Sequence, residues 1–303
     1  MLGCGGESSS TAVQEAASRS TAEGTSADSD VKPGELPRKP GSLRFAVIGD
    51  AGRGDRYQYM TAEKMIQWRQ WFDYDFVLML GDNIYGDSAA RQAYVQRFER
   101  PYKPLIDAGV PFYAALGNHD PPGQEHYPLF NMNGRRYYAF EKEEGSLRPL
   151  FSRDVLFVAI DTVNLTRAQL DWIDRTLDES DADWKIAFYH HPLYTSGRYQ
   201  FGAARMRALL EPIFIRHGVD VGLSGHEHFY ERITPQNGIQ YFTSGAAGAL
   251  RMNDVRRSGW TAAAFDTDTH FMLMEIAGDT LYFLAISRKG EIIDWGMVRK
   301  TDS

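Results

Sequence analysis

The sequence predicts an α/β protein built on a parallel or mixed sheet covered by helices, with a second sheet supplied by its C-terminal end. Three observations carry this reading. From residue 43 onward, short apolar runs of strand length alternate with stretches of helical periodicity. Each run of that alternating part ends at once in Gly, Asp, Asn, Ser or His. From Ile239 on, the helical stretches give way to successive runs of strand character.

The elements follow in order. The run 43–48 is the first strand and ends in Gly49-Asp50. Met65, Trp68 and Phe72 recur at helical spacing behind it. The run 76–80 ends in Gly81-Asp82, and the run 111–116 ends in Gly117-Asn118-His119-Asp120. The run 155–160 ends in Asp161. Thr166 and Gln169 form a capping-box pattern that opens a helix carrying Leu170, Ile173 and Leu177. The run 184–189 ends in His190-His191-Pro192. Ala203, Met206, Leu210 and Ile213 share a helical face, with Pro212 expected to kink or split that helix. The run 219–223 ends in Ser224-Gly225-His226-Glu227-His228. The runs 239–243, 271–276, 281–287 and 292–298 close the chain as strands.

Composition bounds what this fold does. With 303 residues, 43% hydrophobic and 24% charged, the chain can bury a sizeable core. A net charge of −7 argues against a broad nucleic-acid-binding surface, yet leaves room for a small anion held by a local positive centre. The one cysteine, Cys4, rules out an intramolecular disulfide and a Cys-rich zinc site. No apolar stretch approaches the ~20 residues of a membrane helix.

Residues 1–41 are rich in Ser, Thr, Ala, Gly and Glu and lack aromatics, so they are expected to be a disordered tail ahead of a domain spanning 42–303. Leu2-Gly3-Cys4-Gly5-Gly6 resembles the end of a bacterial lipoprotein signal. It implies a translation start upstream, a lipidated Cys4 attaching the protein to a membrane, and a periplasmic or cell-surface location. The alternative is a free thiol in a cytoplasmic tail.

In open α/β sheets, ligands bind at the carboxyl ends of the strands. The loops there offer Asp50, Asp82 with Tyr85, Asn118 with His119, His190 with His191, and His226 with His228. The remaining histidines, His126, His217 and His270, have no such context and read as surface or packing residues. Oxygen and imidazole donors without thiolate suit iron, manganese or zinc. The donors Asp50, Asp82, Tyr85, Asn118, His190, His226 and His228 are too many for one catalytic ion with an open position. They suit two ions about 3.5–4 Å apart that share a carboxylate.

These motifs, GDAG (49–52), GDNIY (81–85), GNHD (117–120), AFYH (187–190) and GHEH (225–228), resemble those of the calcineurin-like metallophosphoesterases. Tyr85, three residues after Asp82, and the run His226–Arg232 narrow the resemblance to the purple acid phosphatases. Ala187 stands where the family usually has Val, at a position that only packs within its strand. The resemblance implies a four-layer α/β/β/α sandwich of two mixed sheets. It implies Fe(III) on Asp50, Tyr85 and His228, and a divalent Fe, Zn or Mn on Asn118, His190 and His226, with Asp82 as the bridge. The implied reaction is cleavage of a phosphate monoester by a metal-bound hydroxide.

His119 is then the candidate to protonate the leaving group or to hold a phosphate oxygen. His191 either reaches the substrate or buttresses its loop, and Arg198 either grips phosphate or is a solvated loop residue. Asp120 and Glu227 are expected to orient ligand imidazoles, and Asp161 to be structural. Two other functions fit less well: a phosphodiesterase acting on cyclic nucleotides or phospholipid-derived diesters, and a non-catalytic surface-anchored binding domain. Nothing in the chain fixes the natural ester or the oligomeric state.

Overall fold

The structure, a computed structural model, describes residues 32, 34–86, 90–143 and 154–300. Cys4 and nearly all of the expected tail lie outside the described residues. Every described helix and strand lies within one unit, Pro33–Ser303.

That unit starts before residue 42. Glu275 is fully buried, and its carboxylate needs donors. The backbone N–H groups of Arg38 and Lys39 supply them at 2.7 and 2.6 Å, as does the Ser42 hydroxyl at 2.6 Å. Leu36 is buried beside them. Residues 34–41 are therefore held against the domain, where the sequence placed them in the tail.

The strands form two sheets. The first has the order β13 (Ile292–Arg299), β12 (Thr280–Ser287), β11 (His270–Ala277), β1 (Leu43–Ile48), β2 (Phe76–Leu80) and β3 (Phe112–Ala115). Here β1, β2 and β3 are parallel, while β11, β12 and β13 run antiparallel as a meander. The second has the order β10 (Thr261–Phe265), β8 (Tyr230–Ile233), β9 (Gln240–Ser244), β7 (Val221–Ser224), β6 (Trp184–Tyr189), β5 (Asp154–Ile160) and β4 (Tyr138–Glu143). Its central strands β5, β6, β7 and β9 are parallel. Antiparallel β4 closes one edge and β8 with β10 the other.

Aromatic side chains join the sheets face to face. Phe45 and Phe76 of the first meet Phe157 of the second edge-on, both at 5.4 Å between ring centroids, and Phe242 meets Phe283 at 4.9 Å. On the outer face of the second sheet, α4 (Arg167–Asp178) and α5 (Gln200–Arg216) bury Ile173, Leu177, Leu210 and Phe214 against Leu156, Val158 and Ile160. On the first sheet, α1 (Arg56–Arg69) buries Ala62 and Met65. The result is the four-layer α/β/β/α sandwich. No described helix is long and apolar enough to cross a membrane.

Three local expectations change. Phe72 lies beyond the end of α1, in a turn closed by its N–H on the Trp68 carbonyl at 2.7 Å, so it packs without being helical. Pro212 does not split α5, which continues to Arg216. Thr166 does cap α4, accepting from the Gln169 N–H at 3.2 Å, but the Gln169 amide turns to the Asp161 backbone instead of completing the box. It thereby ties the helix start to the end of β5. Between β2 and β3, the short helices α2 (Arg91–Tyr94) and α3 (Lys103–Asp107) flank one wider π-helical turn, Val95–Glu99.

Candidate metal centre

The loops after β1, β2, β3, β6 and β7 meet at one end of the two sheets, since their strands are parallel within each sheet. Three residues turn the chain in the left-handed region there: Asp50 (φ 54°), Asp82 (φ 50°) and His226 (φ 68°). Such backbone costs of order 1 kcal/mol per residue, a strain typical of functional loops. Glycines allow the loops to touch. A Cβ on Gly117 would lie 2.1 Å from the Asp82 nitrogen, and one on Gly225 would lie 2.5 Å from Asp50 Oδ2.

Two groups of donors result. Asp50 Oδ1 accepts from the Tyr85 hydroxyl at 3.0 Å and lies 3.1 Å from His228 Nε2, which is itself 3.1 Å from that hydroxyl. Asp50 Oδ2 is fixed by the His226 N–H at 2.7 Å. On the other side, His190 Nδ1 donates to the Leu80 carbonyl at 2.9 Å. That bond leaves the neutral ring with a lone pair on Nε2. Facing this lone pair are Asn118 Oδ1 at 3.0 Å, Asp82 Oδ1 at 3.4 Å and His226 Nδ1 at 3.2 Å. Asp82 stands between the groups, and its Oδ2 is buried with no hydrogen-bond partner. Ligating atoms of Asp50, Asp82 and His190 all lie within 4.8 Å of one another.

Acceptors facing the His190 Nε2 lone pair in so buried a place are unfavourable unless a cation sits among them. The electrostatics agree. Burial, and then the charge of Asp82, hold the Asp50 carboxyl well above the usual carboxylate range. Burial pushes the His190 imidazole well below its ordinary value, His226 down to about 2 and His228 to about 3. Burial drives the Tyr85 phenol far up. The donor set thus fits positively charged metal ions on an observation independent of any motif, the orphaned carboxylate oxygen of Asp82.

The other expected site residues are placed as follows. The His119 backbone N–H donates to Asp82 Oδ1 at 2.9 Å, and its exposed ring lies 5.0 Å from that of Tyr85. His191 packs 4.4 Å from the His226 ring and is held twice by Thr162 Oγ1, at its N–H (2.9 Å) and at Nδ1 (3.1 Å). Arg198 does not face the centre as a free cation: Asp254 takes its Nε and Nη2 at 2.8–3.2 Å.

Asp120 and Glu227 orient no imidazole. Asp120 accepts the N–H groups of Gly117 (2.7 Å) and Ile84 (2.9 Å), locking two ligand loops together. Glu227 accepts from Thr195 and from the Tyr199 N–H, pinning the 195–199 loop. Both buried carboxylates satisfy backbone donors that the tight turns leave orphaned. Asp161 is structural, closing its turn through the N–H groups of Val163 and Asn164 and pairing with Arg136 at 2.7 Å.

Arg251 was not found from the sequence. Its Nη2 lies 3.3 Å from His228 Nε2, and its Nη1 is buried without a hydrogen bond, 3.6 Å from Glu227. Tyr199 stacks 4.2 Å from the His226 ring, with the Arg251 guanidinium 5.3 Å from its own. The signal was the loop after β9, Gly245-Ala-Ala-Gly-Ala-Leu-Arg251, another loop at a parallel-strand end. Its N–H groups at Ala247, Ala249 and Arg251 donate to Gly49, Asp50 and His228 carbonyls.

Fold and donor set together define a metal-dependent phosphoesterase. The calcineurin-like phosphoesterase family matches residues 43–230. The chain belongs to that family and, within it, to the purple acid phosphatases. It is 30% identical over 237 residues to purple acid phosphatase 4 of Arabidopsis thaliana, covering 69% of each chain. It is 26% identical over 241 residues to tartrate-resistant acid phosphatase type 5 of Oryctolagus cuniculus, covering 69% of this chain and 74% of the other. Among solved structures, GAP50, described as the anchor in the inner membrane complex of Plasmodium, shares the fold with a TM-score of 0.75 at 20% identity, over 86% of this chain and 90% of that one.

Proposed function

We propose that this chain hydrolyses phosphate monoesters at a two-cation centre on the carboxyl ends of its central strands. The observation that carries the reading is the pair of ligand clusters with Asp82 between them, its Oδ2 buried without a hydrogen-bond partner. Asp50, Tyr85 and His228 would hold one ion and Asn118, His190 and His226 the other, with Asp82 shared. When bound, the ions supply Lewis-acid polarisation of the phosphoryl group and acidify a water to near neutrality.

The chain's own groups do the rest. His190 keeps its lone pair inward because its Nδ1 proton is spent on Leu80. His119, exposed beside Tyr85, delivers a proton to the departing ester oxygen or holds a phosphate oxygen. Thr162 fixes the His191 ring against His226, which supports the buttress reading of that residue.

The tyrosine side is assigned Fe(III), since a phenol pushed up by burial binds as phenolate only to a strong Lewis acid. The other side takes a divalent Fe, Zn or Mn. Metal analysis with a visible spectrum tests this: two metals per chain and a phenolate-to-iron band are expected. The same band in Tyr85→Phe would sink the assignment. Assays of p-nitrophenyl phosphate beside its bis-ester separate monoesterase from diesterase. Lipidation at Cys4 and export belong to the proposal as well. The mass of the native protein tests the lipid, and an unmodified Cys4 removes it.

A further inference from the structure

A groove of about 280 Å³ opens beside the centre, lined by Arg53, Asp55, Tyr57, His228, Leu250 and Met252 among others. His228 makes it continuous with the metal site. Arg53 is positioned by a pinned turn. The Gly52 N–H donates to the Asp82 carbonyl at 3.2 Å and the Gly52 carbonyl accepts the Tyr85 N–H at 2.9 Å. A Cβ at Gly52 would come within 2.0 Å of the Asn83 carbonyl oxygen, so the chain passes there only as glycine.

The guanidinium of Arg53 lies 5.4 Å from the Tyr85 ring centroid, with half of its side chain exposed. It makes no side-chain hydrogen bond among the described residues, and its nearest acid is Asp55, 3.9 Å away. Asp55 Oδ1 accepts the Tyr57 and Gln58 N–H groups as the cap of α1, so the carboxylate is held at the helix start and its Oδ2 reaches Arg53 only at that long distance. Farther out, Arg56 and Arg288 lie 4.8 and 5.1 Å from the Tyr57 ring. Arg288 is paired with Asp268, whereas Arg56 has no ion pair among the described residues. The apolar part of the groove's lining is the Tyr57 ring with the side chains of Leu250 and Met252, the last 62% exposed.

A half-exposed cation whose one ion pair among the described residues is a long approach to Asp55, beside a centre that itself collects positive ions, is repelled unless a further anion joins it. We propose that this groove receives the leaving group of the ester, and that Arg53 selects leaving groups with an aromatic or apolar body and a second anion, a carboxylate or another phosphate. The proposal rests on the monoesterase reading of the neighbouring centre. Arg53 is a specificity residue for the far end of the substrate, and the reacting phosphate does not depend on it.

Two probes that differ by one carboxylate test this on the metal-loaded protein: phenyl phosphate and 4-carboxyphenyl phosphate. Arg53→Met keeps the apolar stem and removes the charge. It should lower kcat/KM for the carboxylated ester about fivefold, through KM, and leave phenyl phosphate within twofold. Arg53→Lys should recover part of the loss. Calorimetric titration with phenylphosphonate and 4-carboxyphenylphosphonate reads the same preference without turnover. Equal losses on both members of a pair, or no loss on either, would overturn the proposal. If neither ester is hydrolysed, the monoesterase reading falls, and the phosphonate titration still decides the groove.

Discussion

At the residue scale, the centre is a set of side chains whose lone pairs have been aimed before any ion arrives. The His190–Leu80 bond fixes a tautomer, the His226 N–H fixes one oxygen of Asp50, and the His119 N–H fixes one oxygen of Asp82. His119, whose exposed ring lies beside Tyr85, is the residue proposed to protonate the leaving group or hold a phosphate oxygen. His119→Ala is expected to slow phenyl phosphate hydrolysis by roughly 10²-fold or more with metal content unchanged, and full activity would exclude the role. Arg251 is the cation the sequence did not reveal. With a metal on His228 Nε2, the Arg251 guanidinium would lose that acceptor and become available to an anion on the centre. Arg251→Gln should weaken inhibition by inorganic phosphate about tenfold while leaving two metals bound. Unchanged inhibition would show that Arg251 only braces Glu227. Arg198, committed to Asp254, illustrates why a loop arginine near a motif is ambiguous in sequence: its partner lies 56 residues away.

At the element scale, most strands and helices were legible because their periodicity is local. The exceptions have physical reasons. β4 reads Tyr-Ala-Phe-Glu-Lys-Glu, an edge strand with charged residues on its open side, so it lacks the apolar run of a buried strand. β10, Thr-Ala-Ala-Ala-Phe, has little strand propensity and exists because it pairs with β8. β8 was hidden inside the run that carries the histidines. The helices of the outer layer are tied by charge as well as packing. Asp174 of α4 meets His217 Nε2 at the end of α5 at 2.8 Å and Arg216 Nη1 at 2.6 Å. The His217 hydrogen bond first, with the Arg216 charge, holds the Asp174 carboxyl below its ordinary value. A depressed carboxylate stabilises the fold where it is ionised and loses that contribution as pH falls through its folded value. The Tm of wild type should therefore exceed that of Asp174→Asn at neutral pH, with the gap closing below about pH 4. The pair is exposed, so the gap is small, and a gap that widens in acid would contradict the assignment.

At the scale of the whole molecule, the two sheets are cemented by aromatic contacts on their inner faces, and the loops at one end carry the strain. The centre concentrates Asp50, Asp82 and three imidazoles in little solvent, with left-handed backbone at Asp50, Asp82 and His226. Bound ions would compensate both costs, so metal removal should destabilise the fold globally. Chelation is expected to lower Tm by about 10 °C, as for a ligand present well above its Kd, and adding iron and zinc back should restore it. An unchanged Tm would mean that the loops are rigid without metal.

The sequence by itself determined the α/β character, the positions of the donors after their strands, and the kinds of donor. Those follow from residue type and from local spacing, and the strand-end rule converts them into a shared site. Only the tertiary structure decided which donors face each other. Asp50 meets His228, and His190 meets Asn118 and Asp82, across 178, 72 and 108 residues of chain. It likewise decided that Arg251 and Arg53 border the centre, that Arg198 is spent on Asp254, and that Asp120 and Glu227 hold backbone instead of imidazole. Those outcomes depend on the order of strands within two stacked sheets and on which buried carboxylate finds an orphaned N–H first. Such pairings are global properties of packing, and no window of local sequence contains them.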